Sequence, residues 1–222
     1  KAIELNPNFK EAIKAKGTVL FEKREFELAL KDFDLCDNLD SRFRALSSLY
    51  ALGRTKEIYE RIEKNSELDD ENLKVAAFSA FISYKEKKVT AHKFCNNPID
   101  FISHSNLSTH LKNPNSFINE LKEELKNIKT RWEPQGKTTK KGFQSFDNLF
   151  EDPIEKLKDL KTIVISELAS YYLKFKSENC SYIKKWPNKK NIKGWHVILK
   201  QQGYQDPHIH ANGWLSGVIY LK

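Results

Sequence analysis

The chain has 222 residues with 39% apolar and 31% charged side chains, a formal net charge of +8 and no methionine. This length allows one large domain or two small ones with a real core, and the composition excludes a disordered chain. No apolar run approaches a bilayer span, and the positive charge comes from scattered lysine that a solvated surface accounts for, so neither a membrane nor a nucleic acid is the expected partner. Cys36, Cys95 and Cys180 are far apart, odd in number and outside any CxxC pattern. That usage fits a reducing, intracellular compartment, expected to be the cytoplasm, better than a disulfide framework or zinc ribbon. The first residues already read as the inside of a helix, so the chain is expected to be an excerpt of a longer protein with any targeting signal outside it.

The first third is helical by period. From Phe9, the residues Ile13, Gly17, Leu20, Phe26, Ala29, Phe33 and Cys36 recur at the spacing of a helix pair. Gly17 and Ala29 are small where two helices would cross, and Phe33 would fill the groove one turn later. A second unit follows in "SRFRALSSLYALG" and "TKEIYERIEK", and a third helix in "NLKVAAFSAFISY". This arrangement resembles the tetratricopeptide repeat, a helix-turn-helix unit of roughly 34 residues. "LNPN" at residues 5–8 matches the Asn-Pro turn that opens such a repeat. Residues 1–90 are read as repeats of this type, although a plain helical hairpin bundle would show much the same pattern. Stacks of these repeats bind a peptide or partner protein on a concave face.

At about Val89 the composition shifts. "FCNNPIDFISHSNL" breaks the helical period, and "FINELKEELKNIKTRW" returns to a helix with Phe117, Leu121, Leu125 and Ile128 on one stripe. "EPQGKTTKKGFQSFDNLF" reads as a long polar loop; it lacks P-loop spacing and does not join a strand to a helix. "DPIEKLKDLKTIVISELASYYLKF" predicts the strongest helix, its stripe running through Ile154, Leu157, Leu160, Val164, Leu168, Tyr171 and Phe175. "KKWPNKK" is an exposed lysine-rich turn and the best nucleic-acid candidate in the chain. "WHVILK" and "WLSGVIYL" then read as strands, rich in β-branched and aromatic residues. Helices followed by strands imply an α+β chain, divided into residues 1–90 and 91–222.

His208 and His210 form the single constellation with metal-site character. Two histidines at i and i+2 share one face of an extended segment and can supply adjacent nitrogen ligands to a divalent transition metal. His92, His104, His110 and His196 have no partner at useful spacing and read as surface or core histidines.

The stretches "RWEPQGKTTKKGFQSFDNLF" (131–150), "GWHVIL" (194–199) and "HIHANGWLSGVIYL" (208–221) resemble the iron(II)/2-oxoglutarate-dependent oxygenases. The likeness is to a branch often fused to tetratricopeptide repeats. The resemblance implies that residues 91–222 hold a helical segment and the truncated start of a double-stranded β-helix, a jelly-roll or cupin-like fold. It implies Fe(II), 2-oxoglutarate as cosubstrate and O2, and a dioxygenase that hydroxylates a protein or peptide recruited by the repeats. His208 matches the family's first metal-binding histidine. His210 stands where the wider superfamily has a carboxylate, and three roles stay open there. His210 ligates directly, or it orients water or substrate beside the metal, or Asp206 supplies the carboxylate from the other side of His208. Tyr220 matches a tyrosine that helps bind the distal carboxylate of 2-oxoglutarate in prolyl hydroxylases. With part of the sheet alone, the piece is expected to be inactive. Two rivals are a repeat scaffold with an inactive β-domain and a basic nucleic-acid-binding protein.

Overall fold

Asn38 ends one helix pair and begins the next. In the computed structural model, which describes residues 5–95, 97–210 and 212–221, the first pair is α1 (Lys10–Glu22) and α2 (Phe26–Cys36). Asp37 leaves α2 in the left-handed conformation, and Asn38 then caps α3 (Leu39–Ala51). The Asn38 side chain accepts from the N–H groups of Asp40 and Ser41 at 3.1 and 2.9 Å, and the Ser41 hydroxyl accepts from the Asn38 N–H at 2.8 Å. This reciprocal box satisfies donors that a helix start otherwise leaves unpaired. Gly53, at φ +71°, turns the chain from α3 into α4 (Thr55–Lys64). Asn72 opens α5 (Leu73–Glu86) and donates its side-chain amide to Leu39 O at 2.7 Å and to Asp69 Oδ1 at 2.9 Å, tying two helix starts together.

The core between these helices holds Phe33, Leu49, Ile58, Ile62, Val75 and Ile82, each 2% exposed or less. Gly17 lies against Phe33 so closely that a Cβ there would sit 2.9 Å from the ring. The expected small residue at the α1–α2 crossing is therefore present for a steric reason. After α5 the chain buries His92 (3% exposed). Its Nε2–H donates to Asp69 O at 3.0 Å and its Nδ1 accepts the Phe94 N–H at 3.2 Å. Both ring nitrogens are used in the neutral form, and burial pushes the pKa of His92 down. This compact unit comprises residues up to Phe101 together with Glu178–Lys185, which contain the single-turn helix α8 (Ser181–Lys184). The N–H groups of Ser181 and Tyr182 donate to Lys93 O and Phe94 O, and Lys185 pairs with Asp70 and Glu71.

The second unit, Ile102–Ser177 and Trp186 onward, packs two helices beside a small sheet. Pro114 starts α6 (Pro114–Lys126), where its missing N–H costs nothing. The longest helix, α7 (Glu155–Phe175), buries Leu157, Leu160 and Ile163 against Phe117, Leu121 and Leu125 of α6. Ile154, expected on the α7 stripe, is the residue before the helix and is 66% exposed. The sheet runs β1 (Thr130–Trp132), β2 (Thr139–Ser145), β3 (Val197–Gln205), antiparallel throughout and in that spatial order. The chain is thus α+β.

Two local expectations are corrected. The polar stretch 133–150 is no long loop, because residues 130–132 and 139–145 form a hairpin through a turn at Pro134–Lys137 with Gly136 at φ +74°. The strand was hidden because its buried side chains, Thr139, Gln144 and Ser145, are polar: Thr139 bonds Gln144, and the Ser145 hydroxyl accepts the His196 N–H, so no apolar alternation marks it. The run 214–221 is not a strand: it has no ladder partner among the described residues, and Val218 and Tyr220 stay 70% and 78% exposed. A β-prone segment becomes a strand only when an edge is offered to it.

Candidate metal centre

β3 carries a wide irregularity shortly before the histidine pair. The pairs Lys140↔Tyr204 and Gly142↔Leu199 enclose Lys141 alone on β2 but residues 200–203 on β3. Accommodating the extra residues puts Lys141 and Gln202 at positive φ. It also requires glycine at two points: a Cβ on Gly142 would lie 2.8 Å from Ile198 O, and one on Gly203 would lie 2.6 Å from Lys141 O. Beyond the bulge the ladder is pinned by a polar chain that runs from the exposed Gln205 to the buried Thr139 and Gln144. Gln205 Nε2 donates to the Thr139 hydroxyl at 3.3 Å, which donates to Gln144 Oε1 at 2.7 Å. The last tie is Asp206 N–H to Thr138 O at 2.8 Å.

From that anchor the chain leaves the sheet, and His208 to His210 have no regular secondary structure. The pair is therefore not presented by a strand, as the spacing suggested, but by a bend held through hydrogen bonds. The Asp206 carbonyl lies 2.7 Å from His208 Nδ1. A carbonyl only accepts, so Nδ1 carries a proton, and Nε2 is the nitrogen left to bind a metal. His210 Nε2 lies 3.2 Å from His208 Nε2, with ring centroids 4.8 Å apart and planes at 86°. The Gly213 N–H closes the turn on His210 O at 2.8 Å, and Trp195 packs against the His210 ring at 5.4 Å. Partial burial and the neighbouring His208 both lower the pKa of His210, favouring its neutral form.

The 3.2 Å contact is a hydrogen bond in which His210 Nε2–H donates to the bare His208 Nε2; a divalent transition metal would take the place of that proton, with His210 in its other tautomer. Two bonds of about 2.0–2.1 Å meeting at octahedral to tetrahedral angles span about 2.8–3.4 Å, so the observed separation fits one shared ion. The Nδ1 bond to a backbone carbonyl is the usual brace behind a metal-binding histidine. Among the described residues no third His, Cys, Asp or Glu joins the pair. The Asp206 side chain instead lies 4.0 Å from Lys140 Nζ.

Residues 193–222 match a family model described as "Putative 2OG-Fe(II) oxygenase". That stretch contains β3, Asp206, both histidines and Tyr220. No curated protein and no solved structure matches the chain. Within the oxygenase match, Tyr220 is exposed and lies outside regular secondary structure. Two features of the site carried no signal in the residue spacing. One is the main-chain carbonyl of Asp206, which any residue could supply. The other is Trp195, whose contact with His210 depends on the bend that brings the pair back over the start of β3. Of the remaining histidines, His110 bonds Glu167, His92 is a core residue and His104 is exposed, while His196 has a pKa lowered by burial and no hydrogen-bond partner for either ring nitrogen among the described residues. Among the described residues no helix is long and apolar enough to cross a membrane.

Proposed function

We propose that this chain carries the histidine pair of an iron(II)/2-oxoglutarate-dependent dioxygenase, with residues 1–90 recruiting a protein or peptide for hydroxylation. On this reading the three-stranded sheet begins a double-stranded β-helix, and the helices of the first unit are tetratricopeptide-like repeats. The observation that carries the reading is the convergence of His208 Nε2 and His210 Nε2 at 3.2 Å inside the matched stretch. His208 and His210 hold Fe(II), and the Asp206 carbonyl keeps His208 in the tautomer that leaves Nε2 free. Trp195 covers one side of the His210 ring and keeps water from that side. Tyr220 offers a hydroxyl to the distal carboxylate of 2-oxoglutarate. When bound, the iron couples oxidative decarboxylation of 2-oxoglutarate, to succinate and CO2, with hydroxylation of a C–H bond by O2.

The test is a titration of the chain with Co(II) as a visible-absorbing stand-in for Fe(II). His208→Ala abolishes the cobalt spectrum, His210→Ala weakens it, and His210→Asp restores part of it because the shorter carboxylate reaches less far. Full metal retention in His208→Ala overturns the assignment.

A further inference from the structure

One carboxylate aligns three helices. Asp40 on α3 pairs with Lys14 from α1 at 3.8 Å, with Lys74 from α5, and with Arg44 of its own helix at 2.9 Å. The odd-numbered helices therefore share a face. Farther along it, Phe78 of α5 meets Phe43 and Tyr50 of α3 edge-on, ring centroids 6.2 Å apart in both pairs. Phe81 meets Tyr50 at 5.4 Å. On α5 the residues Lys74, Phe78, Phe81 and Lys85 fall at i, i+4, i+7 and i+11, a single stripe along the helix. Phe43, Tyr50 and Phe78 are half-buried at the edge of the core, whereas Phe81 is 46% exposed and Tyr84 beside it is 72% exposed.

The charge on this face is not balanced. Lys14, Arg44 and Lys74 stand at one end of the aromatic strip, and Lys85 stands at the other, its Nζ 4.8 Å over the Tyr50 ring. Lys14, Arg44 and Lys74 share the one Asp40 carboxylate, and Glu86 acts on Lys85, so four cations stand against two carboxylates, a net charge of +2. The α2–α4 face is different. There Arg54 and Arg61 are taken up by Glu27, Asp34 and Glu57, and the surface neutralises itself. An open aromatic strip with cations in excess along it is built for apolar groups flanked by acidic ones.

We infer that the α1–α3–α5 face docks an acidic protein segment carrying apolar or aromatic side chains between its carboxylates. Lys74 and Lys85 are separated by about 16 Å of helix, the reach of roughly five extended residues. The occupant is thus short: acidic residues at both ends and large apolar residues in the middle. The inference gives a chemistry to the recruitment proposed above and rests on that reading for its biological role. Docking itself needs neither iron nor 2-oxoglutarate, so its test is independent of the metal site.

The experiment measures fluorescence anisotropy of a labelled Glu-Glu-Leu-Phe-Leu-Glu-Glu peptide with the 222-residue chain in chelator. Saturable binding is expected, weakened about tenfold or more by Lys85→Glu and by Phe81→Ala. Both side chains are exposed, and circular dichroism verifies that the variants stay helical. Lys56→Glu on α4 is expected to bind as the unaltered chain does. The inference is overturned by any of four outcomes: no saturable binding, equal binding of the peptide with lysine in place of glutamate, equal loss in Lys56→Glu, or tighter binding of a single-stranded oligonucleotide with the same variant pattern.

Discussion

His208 donates its Nδ1–H to the main-chain carbonyl of Asp206 across 2.7 Å, and that bond decides which nitrogen faces His210. Because the acceptor is a backbone atom, it survives replacement of the Asp206 side chain. Asp206→Asn is expected to keep Co(II) affinity within about threefold, while His210→Ala loses about 10–100-fold. Isothermal titration of both variants checks this. Strong loss in Asp206→Asn beside normal binding in His210→Ala would transfer the carboxylate role to Asp206.

The glycines of the bulge are expected to matter for metal binding although neither touches the histidines. In Gly203→Ala the added carbon would lie 2.6 Å from Lys141 O and 2.9 Å from Lys200 O, both backbone atoms that move only with the ladder. Shifting the ladder displaces the Asp206 anchor on Thr138 and with it the bend. The expected outcome is at least a severalfold loss of Co(II) affinity with far-ultraviolet circular dichroism nearly unchanged. Native affinity in Gly203→Ala would show that the bend forms without the bulge.

Gly17→Ala tests the first helix pair. Its Cβ would meet Phe33 Cε1 at 2.9 Å and Asp32 Cβ at 3.1 Å in a core without slack. Overpacking of this kind costs about 1–3 kcal/mol, read as a lower midpoint in urea. Phe33→Leu in the same chain is expected to recover part of the loss, because it removes the ring edge that collides. An additive double mutant would place the cost elsewhere.

The buried His92 makes stability depend on pH, with a definite sign. Burial lowers its folded pKa beneath the ordinary value of 6.5, outweighing the Asp69 carbonyl bond and the nearby Asp69 and Asp70 charges that favour the cation. As pH falls below 6.5 the unfolded chain takes up a proton that the folded chain refuses. Stability is therefore complete above that pH and declines as pH drops toward the folded pKa, below which the loss stops growing. His92→Gln keeps a donor for Asp69 O and an acceptor for Phe94 N–H but does not titrate. Thermal midpoints between pH 7.5 and 5.5 are expected to fall less steeply in that variant; identical slopes would remove His92 as the cause.

The helices α1 to α5 were legible because each is bounded by local chemistry that can be read one residue at a time. Gly17, Gly53 and the run "NLKVAAFSAFISY" each announce a crossing, a break or a start. β2 was not legible, since its buried Thr139, Gln144 and Ser145 are polar and satisfied by hydrogen bonds, Thr139 to Gln144 and Ser145 from the His196 N–H, which erases the period-of-two pattern. The spacing of His208 and His210 places them together, but spacing alone implies a strand. What brings them together is a bend fixed by main-chain acceptors at Thr138 and Asp206, and a backbone carbonyl leaves no mark on residue type. Residues 214–221 mislead in the opposite direction. Their β-prone composition is real, yet composition cannot supply the neighbouring edge that would pair them.

The cluster around Asp40 has a consequence for the environments in which this chain keeps its shape. Hydrogen bonds and charge from Lys74 and Arg44 outweigh burial and hold the Asp40 carboxyl down at about 2. An acidified vesicle, at roughly pH 4.5–5, would protonate an ordinary histidine but leave this carboxylate charged. Across that range the fastening between α1, α3 and α5 has no proton-operated release. Protonation in that range then reaches the interior around His92 before it reaches the carboxylate shared by these three helices.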